Sequence, residues 1–237
     1  MKTKLVSVLV LVILGLNANC QIYSKAAVYV YKYSILSKNK SITGKLYLGC
    51  LGKPWPDKIH KQMAIIWTTE LKELSQRIYN TGVIETKERI WMHPPRDGVF
   101  SVLEYSPFPE IRFPANLKKK WSMSLALGKY WENKEYGIAA DDTLRYTYEV
   151  KDKKLVAPIF SSNKIECFQI YAASTNLKCT TSFTGFFDPK FGFIQMIFRN
   201  IDNTIIELDL MSIDDWSQYT SGNLLFHIPE IPKNGTY

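Results

Sequence analysis

From residue 82 onward the chain is a succession of short segments in which apolar and polar residues alternate, separated by residues that turn a backbone on itself. A period of two puts one set of side chains on each face of a strand, so such segments can bury a core only by pairing into a sheet. Candidate strands lie at 84–92, 98–105, 119–127, 144–150, 154–160, 164–172, 177–187, 191–199 and 204–212. Asp97-Gly98, Asp188-Pro189 and Asn200-Ile201-Asp202-Asn203 are turn chemistry at hairpin spacing, which predicts antiparallel pairing. Three prolines between 107 and 114 predict a stiff extended connection rather than a paired strand, because proline has no amide proton to donate to a ladder. Tyr130 to Asp142 fits neither period and reads as loop or short helix.

Ahead of this β region, Ala27 to Leu36 alternates, with Tyr29, Tyr31, Tyr33 and Ile35 on one face and Val28, Val30, Lys32 and Ser34 on the other. Ser41 to Cys50 is a second β-prone segment. Met63, Ile66, Trp67, Leu71, Leu74 and Ile78 then recur at three- and four-residue steps, the stripe of an amphipathic helix. Pro54, Pro56 and Asp57 stand at its start and Asn80-Thr81-Gly82 at its end. The expected fold is mainly β, a β-rich α+β domain with one packing helix at about 58–79.

Residues 1–20 carry the order of a secretory signal: Lys2-Thr3-Lys4, an apolar run from Leu5 to Leu16, then Asn17-Ala18-Asn19-Cys20. That run is too short to span a bilayer, which takes about 20 apolar residues. The chain therefore reads as a signal peptide, 1–20, followed by a single β-rich domain, 21–237, without repeats or low-complexity linkers. Two processing routes are open. Ala18 and Cys20 suit signal peptidase cleavage before Gln21, giving a periplasmic or secreted protein; lipidation of Cys20 would instead anchor it in the cell envelope and allow peripheral membrane association.

Removal of the signal takes two lysines from a net charge of +8, leaving +6. Along the sequence this excess is spread out, with Lys118-Lys119-Lys120 the one run, and it reads as a solvated strand start; no nucleic acid is expected as a partner of an exported chain. Three cysteines remain, Cys50, Cys167 and Cys179. If a hairpin turn centres on residue 173, Cys167 and Cys179 face each other at disulfide distance.

His60, His93 and His227 lack partners at metal-ligand spacing, so neither a metal nor a cofactor is expected, and no nucleophile elbow or phosphate loop occurs. The most unusual string is Glu88 to Arg96, ERIWMHPPR, where Trp91, His93 and Arg96 end a strand against two rigid prolines. These three are the candidate binding residues; the plainer reading pairs Arg96 with an internal acid such as Glu104 or Glu110. No catalytic residue is assigned.

Leu117 to Gly128 (LKKKWSMSLALG), Val156 to Ala172 (VAPIFSSNKIECFQIYA) and Thr184 to Leu210, with its aromatic turn FFDPKFGF at 186–193, resemble in order a group of uncharacterised exported proteins of Gram-negative bacteria. The resemblance spans about residues 116–212 and implies a single curved antiparallel sheet or incomplete barrel; it implies no reaction. At the level of fold it extends to periplasmic lipoprotein carriers, whose half-barrels shelter acyl chains. With 14% aromatic residues, the expectation is a non-catalytic envelope protein whose curved sheet binds an apolar small molecule or a protein partner. The alternatives are a structural or adhesive domain and a hydrolase using His93 as a base near Glu104.

Overall fold

The computed structural model describes residues 21–38, 40–55, 61–75, 81–177 and 180–219. Among them twelve strands form one antiparallel sheet: β1 (Ala26–Ser37), β2 (Lys40–Pro54), β3 (Met63–Thr68), β4 (Thr81–Glu85), β5 (Arg89–Met92), β6 (Glu110–Arg112), β7 (Lys120–Ala126), β8 (Thr143–Val156), β9 (Ile165–Ser174), β10 (Ser182–Asp188), β11 (Gly192–Arg199) and β12 (Ile205–Asp214). Their order, 6-5-4-3-2-1-12-11-10-9-8-7, is a meander in which the first and last strands pair and the two edges, β6 and β7, fall in mid-chain.

The sheet curls until those edges meet, and side chains rather than a ladder close the seam. Trp121 Nε1 on β7 donates to Glu110 Oε2 on β6 at 2.9 Å, and Lys119 Nζ donates to the carbonyls of Phe113 and Pro114 at 3.0 Å each. Behind the seam Trp121 stacks on Tyr148, their ring centroids 5.3 Å apart, and the Tyr148 hydroxyl donates to the Phe108 carbonyl at 2.9 Å. The architecture is the curved antiparallel sheet or incomplete barrel that the sequence resemblance implies.

The alternation of β8 explains its place. Leu144, Tyr146, Tyr148 and Val150 turn inward and are buried, while Thr143, Arg145 and Thr147 are exposed. Inward residues of the other strands fill the interior with rings: Tyr31, Phe183, Phe187, Phe193 and Phe198 are fully buried, and pairs such as Phe187–Phe193 meet edge-on at 5.2 Å. On the outer face Val28, Val30, Ile66 and Leu74 form a second, small cluster against Trp216 and Tyr219 of the Trp216–Tyr219 turn.

Four expectations are corrected here. Most of the described part of 58–79 is not helical: Met63–Thr68 is a strand, and the helical element of that span is one 3-10 turn, Leu71–Ser75. β3 is buried on both faces, Ile65 and Trp67 inward and Ile66 outward, and a continuous apolar run of this kind satisfies helical spacing by accident. Residues 98–105 form a 3-10 helix, not a strand: Gly98, with φ at 58°, redirects the chain so that Gly98–Tyr105 crosses the end of the sheet. The proline-rich stretch holds β6 after all, pairing Glu110 with Trp91 and Arg112 with Arg89. The expected strands 144–150 and 154–160 are one, β8, with a register shift between Val150 and Asp152.

Cys179 lies outside the described residues. Ser182 stands opposite Ala173, so the β9–β10 connection spans 175–181 and no turn centres on residue 173. Cys50 and Cys167 carry free, buried thiols, Cys167 approaching the Ile165 carbonyl at 3.6 Å. Burial pushes the Cys50 thiol up, and it pushes Cys167 up to about 12 with help from Asp188 and Glu166. Both thiols are expected to resist alkylation at neutral pH in the native protein and to react fully in guanidinium, a difference read by mass spectrometry.

Candidate functional site

β5 delivers Trp91 and then His93 to the end of the sheet where the Gly98–Tyr105 turn crosses. The backbone fixes His93 on both sides: its N–H donates to the Gly82 carbonyl at 3.0 Å, and its own carbonyl accepts from Trp67 Nε1 at 2.9 Å. Pro94-Pro95 then holds an extended bend that brings Arg96 back over the imidazole. Along the 3-10 turn Phe100, Leu103 and Glu104 are buried at near three-residue spacing, so Glu104 points inward beside the same ring.

His93, Arg96 and Glu104 thus converge. Arg96 Nη2 lies 2.5 Å from His93 Nε2 and 3.3 Å from Glu104 Oε1, and His93 Nε2 lies 3.5 Å from Glu104 Oε2. His93 Nδ1 is 2.8 Å from the Pro94 carbonyl. A proton on Nδ1 satisfies that carbonyl and leaves Nε2 to accept from the guanidinium; these partners assign the neutral Nδ1–H tautomer. Both ring nitrogens are then engaged, and the cluster fastens the strap 93–105 to the sheet. The Tyr146 hydroxyl is buried nearby, its pKa driven well above the ordinary phenol range by burial and by the Glu104 carboxylate.

Trp91 occupies the other side of this cluster. It faces Ile84 and Glu110 across the strands, and its ring meets Phe108 at 5.7 Å and His93 at 6.3 Å. Of the candidate residues, therefore, His93 and Arg96 act together with Glu104, and Trp91 packs behind them.

Arg96 also reaches outward. Its guanidinium sits 5.6 Å over the Trp131 ring, and Trp131 forms one wall of an open cleft of about 450 Å³ between the strap and the 129–136 loop. Ile35, Val99, Val102, Tyr105 and Tyr136 complete the apolar lining. The Tyr105 hydroxyl donates to the Trp131 carbonyl at 3.2 Å and its ring meets the Tyr136 ring at 6.0 Å. Tyr130 at the cleft is 98% exposed and Val99 54%. A smaller cleft of about 270 Å³, lined by Leu46, Trp67, Pro95 and Phe100, flanks the strap on its other side.

Sequence reasoning did not find this cleft. Tyr105 lay in an expected strand, and Trp131 and Tyr136 in the stretch of neither period; three aromatics inside an aperiodic segment were the available signal.

No family of known sequences matches the chain, and no curated protein matches it. Solved structures are similar. The hypothetical lipoprotein YmcC from Escherichia coli K12 overlays with a TM-score of 0.37 at 10% identity, covering 80% of this chain and 89% of that one. An exported protein with a YmcC-like fold, BF2203 from Bacteroides fragilis, gives 0.31 at 8% identity over 81% and 96%. The LolA superfamily protein NE2245 from Nitrosomonas europaea gives 0.32 at 8% over 83% and 89%. No residue is carried over from these structures.

Proposed function

We propose that this chain is an exported, non-catalytic protein of the cell envelope that binds an apolar ligand in the cleft beside Trp131. One observation carries the reading: the interior of the sheet is filled by its own rings, whereas the cleft at its end stands open, with Ile35, Val99, Val102, Tyr105, Trp131 and Tyr136 as its apolar part and Ser101, Glu132, Asn133, Asp202 and Thr204 as its polar part. At about 450 Å³ it lies in the range of about 300–1,000 Å³ typical of small-molecule sites. His93 and Arg96 serve it indirectly, because the strap they fasten carries Val99, Val102 and Tyr105. The same engagement of both imidazole nitrogens argues against a hydrolytic base at His93, which would need a lone pair free to take a proton.

The full-length mature protein is expected to take up a fluorescent fatty acid, with Trp131→Ala weakening uptake about ten-fold, the loss of one aromatic wall. The Trp131→Ala variant should melt within a few degrees of the parent, since Trp131 is half-buried at the rim. Absence of uptake by the parent, together with no lipid retained in native mass spectrometry, overturns the proposal. A purely structural or adhesive role is then the remaining reading, and the filled interior favours it.

A further inference from the structure

Successive strands of a meander run in opposite directions, so alternate connections gather at the same end of the sheet. The register says which. Ala26 stands opposite Leu51, Pro54 opposite Met63 and Glu85 opposite Ile90. Arg89 stands opposite Arg112, Lys120 opposite Glu149, Val156 opposite Ile165 and Asp188 opposite Gly192. Residues 21–26, 51–55, 61–63, 85–89, 112–120, 149–166, 187–192 and 213–219 therefore share one end.

These segments hold fourteen lysines and arginines against eight acids, a net of +6. Those at the opposite end, 36–38, 40–41, 68–75, 81, 92–109, 126–143, 174–177, 180–182 and 199–205, hold seven against nine, a net of −2. A charge excess that is dispersed along the sequence is thus gathered at one pole by the topology. Three of the acids there are already paired: Glu149 with Lys120 and Lys151, Asp152 with Lys154, and Glu166 with Lys153. Lys25, Lys53, Lys61, Lys87, Lys118 and Lys164 are exposed at the same pole.

Two further features belong to it. Leu117, Leu155 and Ile159 are 51%, 67% and 53% exposed among the lysines of 118–120 and 151–164. Residues 22–24, the first of the described domain, are pinned to Glu85 at this pole.

We infer that this pole is a docking surface for an anionic lipid bilayer. A broad cationic rim matches a plane of phosphates better than one small anion. The interleaved Leu117, Leu155 and Ile159 supply apolar contacts at the headgroup boundary. Residues 22–24 lie at this same pole, and the cleft beside Trp131 lies at the opposite one. This inference does not depend on the cleft binding anything.

The mature protein, carrying no lipid, is to be sedimented with vesicles containing phosphatidylglycerol and with vesicles of phosphatidylcholine alone. Binding is expected to the first and not to the second, and to fall as salt is raised to about 0.3 M, where the screening length drops below about 8 Å. The variant Lys118→Glu/Lys154→Glu/Lys164→Glu is expected to lose at least about ten-fold in affinity. Lys129→Glu/Lys134→Glu at the opposite pole should change it less than two-fold or so. All four of these results together support the inference. Equal binding to both vesicles, no binding to either, or an equal loss in the two variants overturns it; so does tighter, vesicle-competing binding to duplex DNA. Circular dichroism identical to the parent confirms that each variant is folded, and a variant that fails this is replaced by the corresponding lysine-to-glutamine set.

Discussion

Replacing Glu110 with alanine is expected to remove about 2–4 kcal/mol of stability, below the full range for breaking a buried ion pair because its two arginine partners are about a third exposed. Glu110 is fully buried at the seam. It accepts from Trp121 Nε1 at 2.9 Å and Arg112 Nε at 2.8 Å, with Arg89 Nη1 at 3.8 Å. Alanine would strand the indole N–H and leave two guanidinium groups without their countercharge, one of them packed over the Trp121 ring at 5.7 Å. The consequence reaches beyond one residue, because β6 and β7 share no ladder and depend on such side chains for closure. Glu110→Gln, which can keep one acceptor for the indole but not the charge, should fall between the two. Urea denaturation reads the loss as a lower midpoint at unchanged slope; a loss below about 1 kcal/mol would show that the seam is held elsewhere.

The second large effect belongs to Glu85→Ala. One carboxylate accepts three successive backbone N–H groups, from Ile22 at 2.6 Å, Tyr23 at 2.9 Å and Ser24 at 2.7 Å. Hydrogen bonds to a charged group contribute about 1.5–3 kcal/mol each, and partial exposure lowers the sum to an expected loss of about 2–4 kcal/mol. What those bonds fasten is part of the core. Tyr23 is fully buried, its hydroxyl accepting from the Phe193 N–H at 2.8 Å, and the Tyr29 hydroxyl donates to the Ile22 carbonyl at 2.6 Å. The amides of 22–24 are expected to lose their protection in hydrogen exchange while those of β8 keep theirs. Unchanged exchange at 22–24 would mean that Tyr23 alone holds the segment.

Where one face of a strand is buried and the other wet, the chain announces its structure. β9, β11, β12 and the 144–150 part of β8 were legible for this reason; in β1 the change of residue type from Tyr29 and Tyr31 to Val28 and Val30 marked the two faces, although Val28–Tyr31 is buried on both. β3 was not, because a strand covered on both faces has no alternation to show. Nor was the strap 98–105, whose apolar residues satisfy a strand pattern and a 3-10 pattern about equally over eight positions. For the candidate site, the prolines after His93 marked a rigid place and Glu104 was named as an acid within reach. The partnership of Arg96 with both depended on a bend whose direction no local rule sets.

By itself the amino-acid sequence determined the class of backbone, the hairpin order of most strands and the residues that fill the interior, since each follows from a period of two and from turn residues acting over a few positions. The pairing of β1 with β12, the seam between β6 and β7, the cleft beside Trp131 and the collection of lysines at one pole were decided only by the tertiary structure. Each brings together residues far apart along the chain, and their meeting is set by how the whole sheet curls, a property that no single segment carries.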